Sequence, residues 1–216
     1  MIIKTGQADA PPDPRLAYFD DLAPVWNAEC SSPATTRARL ATLDGELGLA
    51  PGMEVLEVGC GTGQITGWLA ARVHPGRVVA ADFSPAMLAE AGRRGLRVEF
   101  RQLDICVEGP VLGAFDLVLC FHAFPHFRDQ PAALRQLARH LKPTGGLTIL
   151  HLAGSAQINA FHAGLREPVC RDRLPGADAW PALLHAAGLE LTSLTDRADL
   201  FLLRARPARR TAESPW

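Results

Sequence analysis

The sequence predicts an α/β fold. It is a doubly wound, seven-stranded sheet, mostly parallel, with a C-terminal antiparallel hairpin and an N-terminal helical cap. Three observations carry this. Short Val/Ile/Leu-rich runs alternate with helical patterns between residues 53 and 152, as strands of a parallel sheet covered on both faces do. The first run ends in a glycine loop that opens a helix. The last two strand-like runs, 189–195 and 199–205, are joined by Asp196-Arg197-Ala198, too short for a crossover, so they pair antiparallel.

In chain order, residues 1–14 are rich in proline and charge and predict a mobile arm. Leu16, Phe19, Leu22, Val25 and Trp26 follow at helical spacing, interrupted by Pro24, which predicts a broken helix. Ser32 caps a second helix with Pro33 at its first position, running to Leu47 and stopping at Gly48. MEVLEVG (53–59) is the first strand, 62–73 a helix, and RVVAAD (77–82) the second strand. Ser84-Pro85 starts the helix 85–94, and Leu96 to Arg101 is the third strand. FDLVLCF (115–121) is the fourth strand and GGLTILHL (145–152) the fifth. Between them Pro131 to Leu141 is a helix with Leu134, Leu137, Ala138 and Leu141 on one face. Ser155 starts a further helix, and 178–187 is the last. The expected organisation is an arm and cap over 1–48, a main domain over 49–207 with a cap insertion at 153–177, and a tail over 208–216. No internal repeat is present.

Composition narrows the function. With 48% apolar and 21% charged residues in 216, the chain reads as one globular domain and not as a disordered one. A net charge of −1 argues against a protein that grips nucleic acid by its phosphates. No uncharged apolar stretch is long enough to span a membrane, and residues 1–14 lack the apolar core of a secretion signal. Cys30, Cys60, Cys106, Cys120 and Cys170 are odd in number and form no CxxC. They read as reduced thiols of a cytoplasmic protein.

The sharpest local signal is Val55-Leu56-Glu57-Val58-Gly59-Cys60-Gly61-Thr62-Gly63-Gln64, a strand running into glycines and then a helix. Such glycines let the backbone turn tightly and approach a ligand. Asp82 ends the next strand, where a carboxylate accepts from both ribose hydroxyls. Asp104, beyond the third strand, is placed to meet a purine amino group. The loop lacks the Lys-Ser/Thr of a phosphate-binding P-loop, and its spacing is GxGxG and not GxGxxG. Glu57 is a poor neighbour for a pyrophosphate and a good one for a cation, so a cationic adenosine ligand is favoured over a dinucleotide.

These segments carry a family resemblance. EVGCGTGQ (57–64), AADFSPAML (80–88), QLDICV (102–107), FDLVLCFHAFPHF (115–127) and LKPTGGLTIL (141–150) resemble the successive motifs of class I S-adenosylmethionine-dependent methyltransferases. The small-molecule type of ubiquinone and menaquinone biosynthesis is the nearest in flavour. The resemblance implies a Rossmann-like sheet with the last strand inserted antiparallel. It implies that Glu57 and the backbone of Gly59, Cys60, Gly61 and Gly63 hold the methionine part. Asp82 would bind the ribose, Asp104 and Ile105 would frame the adenine, and Phe83 would stack beside it. His122 would meet the methionyl part and the acceptor.

The acceptor side is read from the residues after the fourth strand. The Asn/Asp-Pro-Pro-Tyr pattern of amide and base methylation is absent. The segment His122-Ala123-Phe124-Pro125-His126-Phe127 instead suits a small, partly apolar acceptor. His74, His140 and His185 fall near helix ends and read as surface or dipole partners. His122, His126, His151 and His162 should converge on one cleft, with Asn159, Cys170 and Asp172 in the same cap segment. Three roles stay open for them: shaping the pocket, acting as a general base (His122 or His126), or holding a divalent transition metal through His126, His151 and His162. Other functions also stay open: a sensor or carrier that binds S-adenosylmethionine or a metal without catalysis, a transferase acting on protein or RNA, and a nicotinamide oxidoreductase.

Overall fold

A computed structural model describes residues 13–29 and 33–209. The expected capping by Ser32, the thiol of Cys30 and most of the proposed arm and tail lie outside these residues. Seven strands form one sheet in the order β3-β2-β1-β4-β5-β7-β6. They are β1 (Glu54–Val58), β2 (Arg77–Asp82), β3 (Glu99–Gln102), β4 (Phe115–Phe121), β5 (Leu141–His151), β6 (Leu189–Arg197) and β7 (Leu200–Pro207). The first five run parallel, and β7 pairs antiparallel with both β5 and β6. The expected mostly parallel sheet with a C-terminal hairpin is therefore present.

Each helix buries an apolar stripe on one of two faces. On one face, α3 (Pro33–Thr42), α4 (Asp44–Leu47) and α5 (Thr66–Val73) bring Leu40, Leu43, Leu47, Leu69 and Val73 against Val55, Val78 and Leu119. On the other, α7 (Gln130–Arg139), α8 (Ser155–Ala163) and α9 (Trp180–Ala186) bring Leu134, Leu137, Ile158 and Trp180 against Phe115, Val118 and Leu147. The inner strands are apolar on both sides because both sides are covered. A smaller cluster joins α1 (Pro14–Leu22) to α6 (Pro85–Gly92) through Phe19, Ala23 and Met87, with Val169 of the loop after α8. As Pro24 predicts, α1 ends at Leu22 and a short α2 (Trp26–Glu29) follows a turn. Asp13 caps α1 by accepting from the Arg15 N–H at 3.0 Å.

Several expectations need correcting. The helix after the glycine loop begins at Thr66 and not at residue 62, because Gly61 and Gly63 sit at φ +53° and +72°, outside helical space. The helix before β5 stops at Arg139, and Leu141 instead opens β5 opposite Phe115. The register then shifts, so that Leu117 meets Gly146 and the Lys142–Gly145 stretch is absorbed as a bulge. β3 begins at Glu99, and the final hairpin turns on two residues, since Arg197 pairs with Leu200. His140 is not at the surface. It is 2% exposed, and its Nδ1 lies 2.8 Å from the carbonyl oxygen of Gln136 one turn earlier.

Candidate active site

The carboxyl ends of β1, β2 and β4 open into one narrow cleft, with a free volume of about 80 Å3. Its wall includes Gly59, Gly61, Asp82, Phe83, Asp104, Ile105, His122 and His126, so most of the residues singled out in the sequence meet there. β1 delivers the chain into the glycine loop, and Gly59, Gly61 and Gly63 all have positive φ. The Gly59 and Cys60 N–H groups donate to the Ala81 carbonyl at 2.8 and 3.0 Å, which pins the loop to β2. A Cβ built on Gly59 would lie 2.3 Å from that of Ala123, so only glycine fits where the loop passes the end of β4.

Two carboxyls stand buried at this end of the sheet. Asp82 accepts from the Gly61 N–H at 2.8 Å and from the Ser84 N–H at 2.9 Å, each on a different oxygen. Burial outweighs these bonds and raises its pKa to about 6. Glu57 is 1% exposed and accepts from the Thr66 hydroxyl at 2.6 Å. Burial lifts its pKa to about 8 against the pull of that bond. Among the described residues neither makes an ion pair. Glu57 and Cys60 do not line the cleft: both side chains are buried, and burial pushes the Cys60 thiol pKa up.

At the far end of the cleft, Asp104 accepts from the Cys106 N–H at 2.9 Å and from Arg128 at 2.5 Å. Arg128 also reaches Asp13 at 3.3 Å. The helical cap covers the front. Phe19 packs edge-on against Phe83, Trp26 and His126, with ring centroids 5.9, 6.0 and 5.0 Å away. Asp20 accepts from the Ser84 hydroxyl at 2.5 Å, and Asn27 accepts from the Thr62 hydroxyl at 2.8 Å, which ties the cap to α6 and to the glycine loop.

The histidines separate into two pairs. His122 and His151 rings meet at 5.0 Å, and His126 and His162 rings at 4.8 Å. His122 has φ +53°, the one positive value at a non-glycine among the described residues. Such strain concentrates at functional sites. Its Nε2 accepts from the Leu152 N–H at 3.3 Å, which leaves its proton on Nδ1. His122 lines the cleft at its exposed edge, and desolvation there, with His126 and Arg39 nearby, pushes its pKa down to about 4. His126 Nδ1 is 2.7 Å from Asp172 Oδ2. Asp172 is 2% exposed and is gripped by Arg15, whose Nε lies 3.0 and 3.2 Å from its two oxygens. Burial would raise the Asp172 pKa, but the bonds from His126 and Arg15 outweigh it and hold the group below its ordinary range. The carboxylate keeps the His126 proton on Nδ1 and frees Nε2 as a base.

The metal set expected at His126, His151 and His162 is not assembled. His162 Nδ1 is 3.0 Å from the Asp172 carbonyl oxygen, His126 Nδ1 is committed to the Asp172 carboxylate, and His151 is buried away from the cleft wall. Among the described residues no group of three His, Cys, Asp or Glu side chains is placed to hold a metal ion. Arg15, Arg128 and Asp13 carry no signal in the sequence, since lone charges before a helix or after a strand are ordinary.

The methyltransferase domain family matches residues 55–145. Over that stretch the chain is similar to the class I S-adenosylmethionine-dependent methyltransferases. A demethylmenaquinone methyltransferase of Thermus thermophilus is 37% identical over 139 residues, covering 61% of this chain and 63% of the relative. A trans-aconitate 2-methyltransferase of Deinococcus radiodurans is 39% identical over 100 residues, 46% of this chain and 38% of that one. The chain thus matches less than two thirds of the length of these methyltransferases. The solved structure of DhpI in complex with SAH overlays with a TM-score of 0.69 at 26% identity, covering 90% of this chain and 96% of that one. No helix among the described residues is long and apolar enough to cross a membrane.

Proposed function

We propose that this chain transfers the methyl group of S-adenosylmethionine to a small-molecule acceptor whose proton His126 removes. The observation that carries the cofactor assignment is the pair of buried carboxyls, Asp82 and Glu57, beside a loop whose Gly59 admits no side chain. Burial without a cationic partner raises both pKa values, and a cationic ligand in the cleft would lie against Asp82, with Glu57 adding to the field from within the core. When bound, S-adenosylmethionine supplies an electrophilic methyl carbon on a sulfonium.

The chain's own residues do the rest. Each Asp82 oxygen has accepted one backbone N–H and retains a lone pair for a ribose hydroxyl. Asp104 and Ile105 bound the adenine end, with Phe83 beside them. Phe19 and Trp26 close the front and exclude water, which an in-line displacement requires. His126 takes the acceptor's proton at Nε2, and Asp172 stabilises the imidazolium that forms. His122, held near pKa 4, stays neutral and offers its Nδ1–H to the acceptor or the methionyl part. Demethylmenaquinone and trans-aconitate, named for the relatives, are both small molecules, which supports a small acceptor here.

Calorimetry with S-adenosylhomocysteine tests the cofactor assignment. The native chain should bind it and Asp82→Ala should lose most of that affinity; an unchanged affinity in Asp82→Ala would overturn the assignment.

A further inference from the structure

A second cavity, of about 440 Å3, lies on the other side of the His126–Asp172 pair. It shares Phe127 and Arg128 with the cofactor cleft, so the two spaces adjoin. Four guanidiniums line it: Arg15, Arg128, Arg171 and Arg173. Two carboxylates face them. Asp129 is spent on capping α7, where it accepts from the Ala132 N–H at 2.8 Å. Asp172 is neutralised by Arg15 and His126. Arg171 pairs only with Glu167, with both side chains mostly in water, a pair that contributes little. Arg173 makes no side-chain hydrogen bond or ion pair among the described residues. Arg15 is held by Asp172 and Arg128 by Asp104 and Asp13, so Arg171 and Arg173 are the guanidiniums this wall leaves open. Its volume is that of a site for a small organic molecule.

We infer that this cavity binds an oxyanion, a carboxylate or phosphate-type group, and that this group anchors the methyl acceptor. The planar guanidinium fork takes two oxygens of such a group at once. Anchored there, the acceptor's reacting atom falls toward His126, whose Asp172 partner forms part of the same wall. An anchoring role accounts for Arg171 and Arg173 standing next to a catalytic cleft with no buried partner. This inference rests on the methyl-transfer reading and supplies its substrate class: small organic acids or phosphorylated metabolites, and not neutral quinols.

The test is calorimetric titration at low salt, because charges this exposed are screened. Protein saturated with S-adenosylhomocysteine is titrated with succinate, with inorganic phosphate, and with neutral succinamide. Succinate or phosphate should bind, and succinamide should not. Binding of succinate alone marks a carboxylate site, and binding of phosphate alone a phosphate site. Arg171→Gln/Arg173→Gln should weaken that binding about tenfold or more, and the Arg171→Lys/Arg173→Lys pair should keep part of it. Both side chains are exposed, so the variants should fold, which circular dichroism checks, and their S-adenosylhomocysteine affinity should match the native one. The inference is overturned if neither oxyanion binds, or if both bind equally well to the glutamine variant. A protein that fails to bind S-adenosylhomocysteine would sink the cofactor assignment instead, and the same titration without it would still read the oxyanion site.

Discussion

Replacing Gly59 by alanine tests the geometry of the cofactor loop with a single methyl group. The new Cβ would sit 2.3 Å from the Ala123 Cβ. Carbons prefer about 3.5 Å or more, so the overlap is about 1.2 Å. A Cβ has no rotamer to turn, and both atoms hang directly on backbone, so the loop or the end of β4 must move. The positive φ of 76° adds about 1–2 kcal/mol for any residue with a side chain. Overpacking adds about 1–3 kcal/mol. Gly59→Ala should therefore lower unfolding stability by roughly 2–5 kcal/mol, with loss of S-adenosylhomocysteine affinity because the Gly59 N–H is dragged off Ala81. The cycle is completed by Ala123→Gly, which removes the opposing methyl and leaves the Ala123 Cα at 3.7 Å. The double variant should recover the overpacking part and retain the backbone part. Urea midpoints and calorimetry on all four proteins give the coupling energy. If Gly59→Ala is equally damaging with and without Ala123→Gly, the contact is not what demands glycine, and the argument fails.

Other outcomes follow from the same geometry. Asp172→Asn removes the carboxylate that orients His126, so kcat should fall roughly 10–100-fold in steady-state kinetics with S-adenosylhomocysteine binding retained. Glu57 has a raised folded pKa, so the folded chain holds a proton that the unfolded chain releases, and stability falls as pH rises toward about 8. Between about pH 7.5 and 8.5 the depressed His122, His140, His151 and His162 are almost wholly neutral in both states and Asp82 is ionised in both, which isolates Glu57. Urea midpoints across that window should slope downward by at most about 1.4 kcal/mol per pH unit, and Glu57→Gln should flatten them; an equal slope in the variant would refute the assignment.

What the sequence made legible follows chain distance. β1, β2 and β4 were readable almost to the residue because strands covered on both faces are unbroken apolar runs. β5 was read too short: Lys142-Pro143-Thr144-Gly145-Gly146 has the composition of a turn, and only its pairing with Phe115 makes it strand. Gly59, Asp82 and Asp104 could be picked out because each lies at or just past the end of a strand and its neighbours are local. The His126–Asp172 pair spans 46 positions and the Arg15–Asp172 pair 157: the sequence brought His126 and Asp172 to one cleft but not into contact, and Arg15 it did not bring there at all. His140 fits the dipole-partner half of its reading, with Nδ1 on the Gln136 carbonyl at the end of α7, and not the surface half, since the ring is buried.

The strand order also sets a timetable. β7 lies between β5 and β6, although the ribosome makes it last. While residues 152–199 emerge, the edge of β5 carrying Leu147, Ile149 and Leu150 has no strand neighbour, and β6 has α9 to pack on but no strand to pair with. An unpaired apolar edge recruits strands from other chains. The nascent protein therefore passes through a vulnerable interval that ends only when Leu200–Pro207 threads into place, closing two ladders at once. Slower translation before residue 200 would lengthen that interval and lower soluble yield, while every contact of the finished cleft stayed the same.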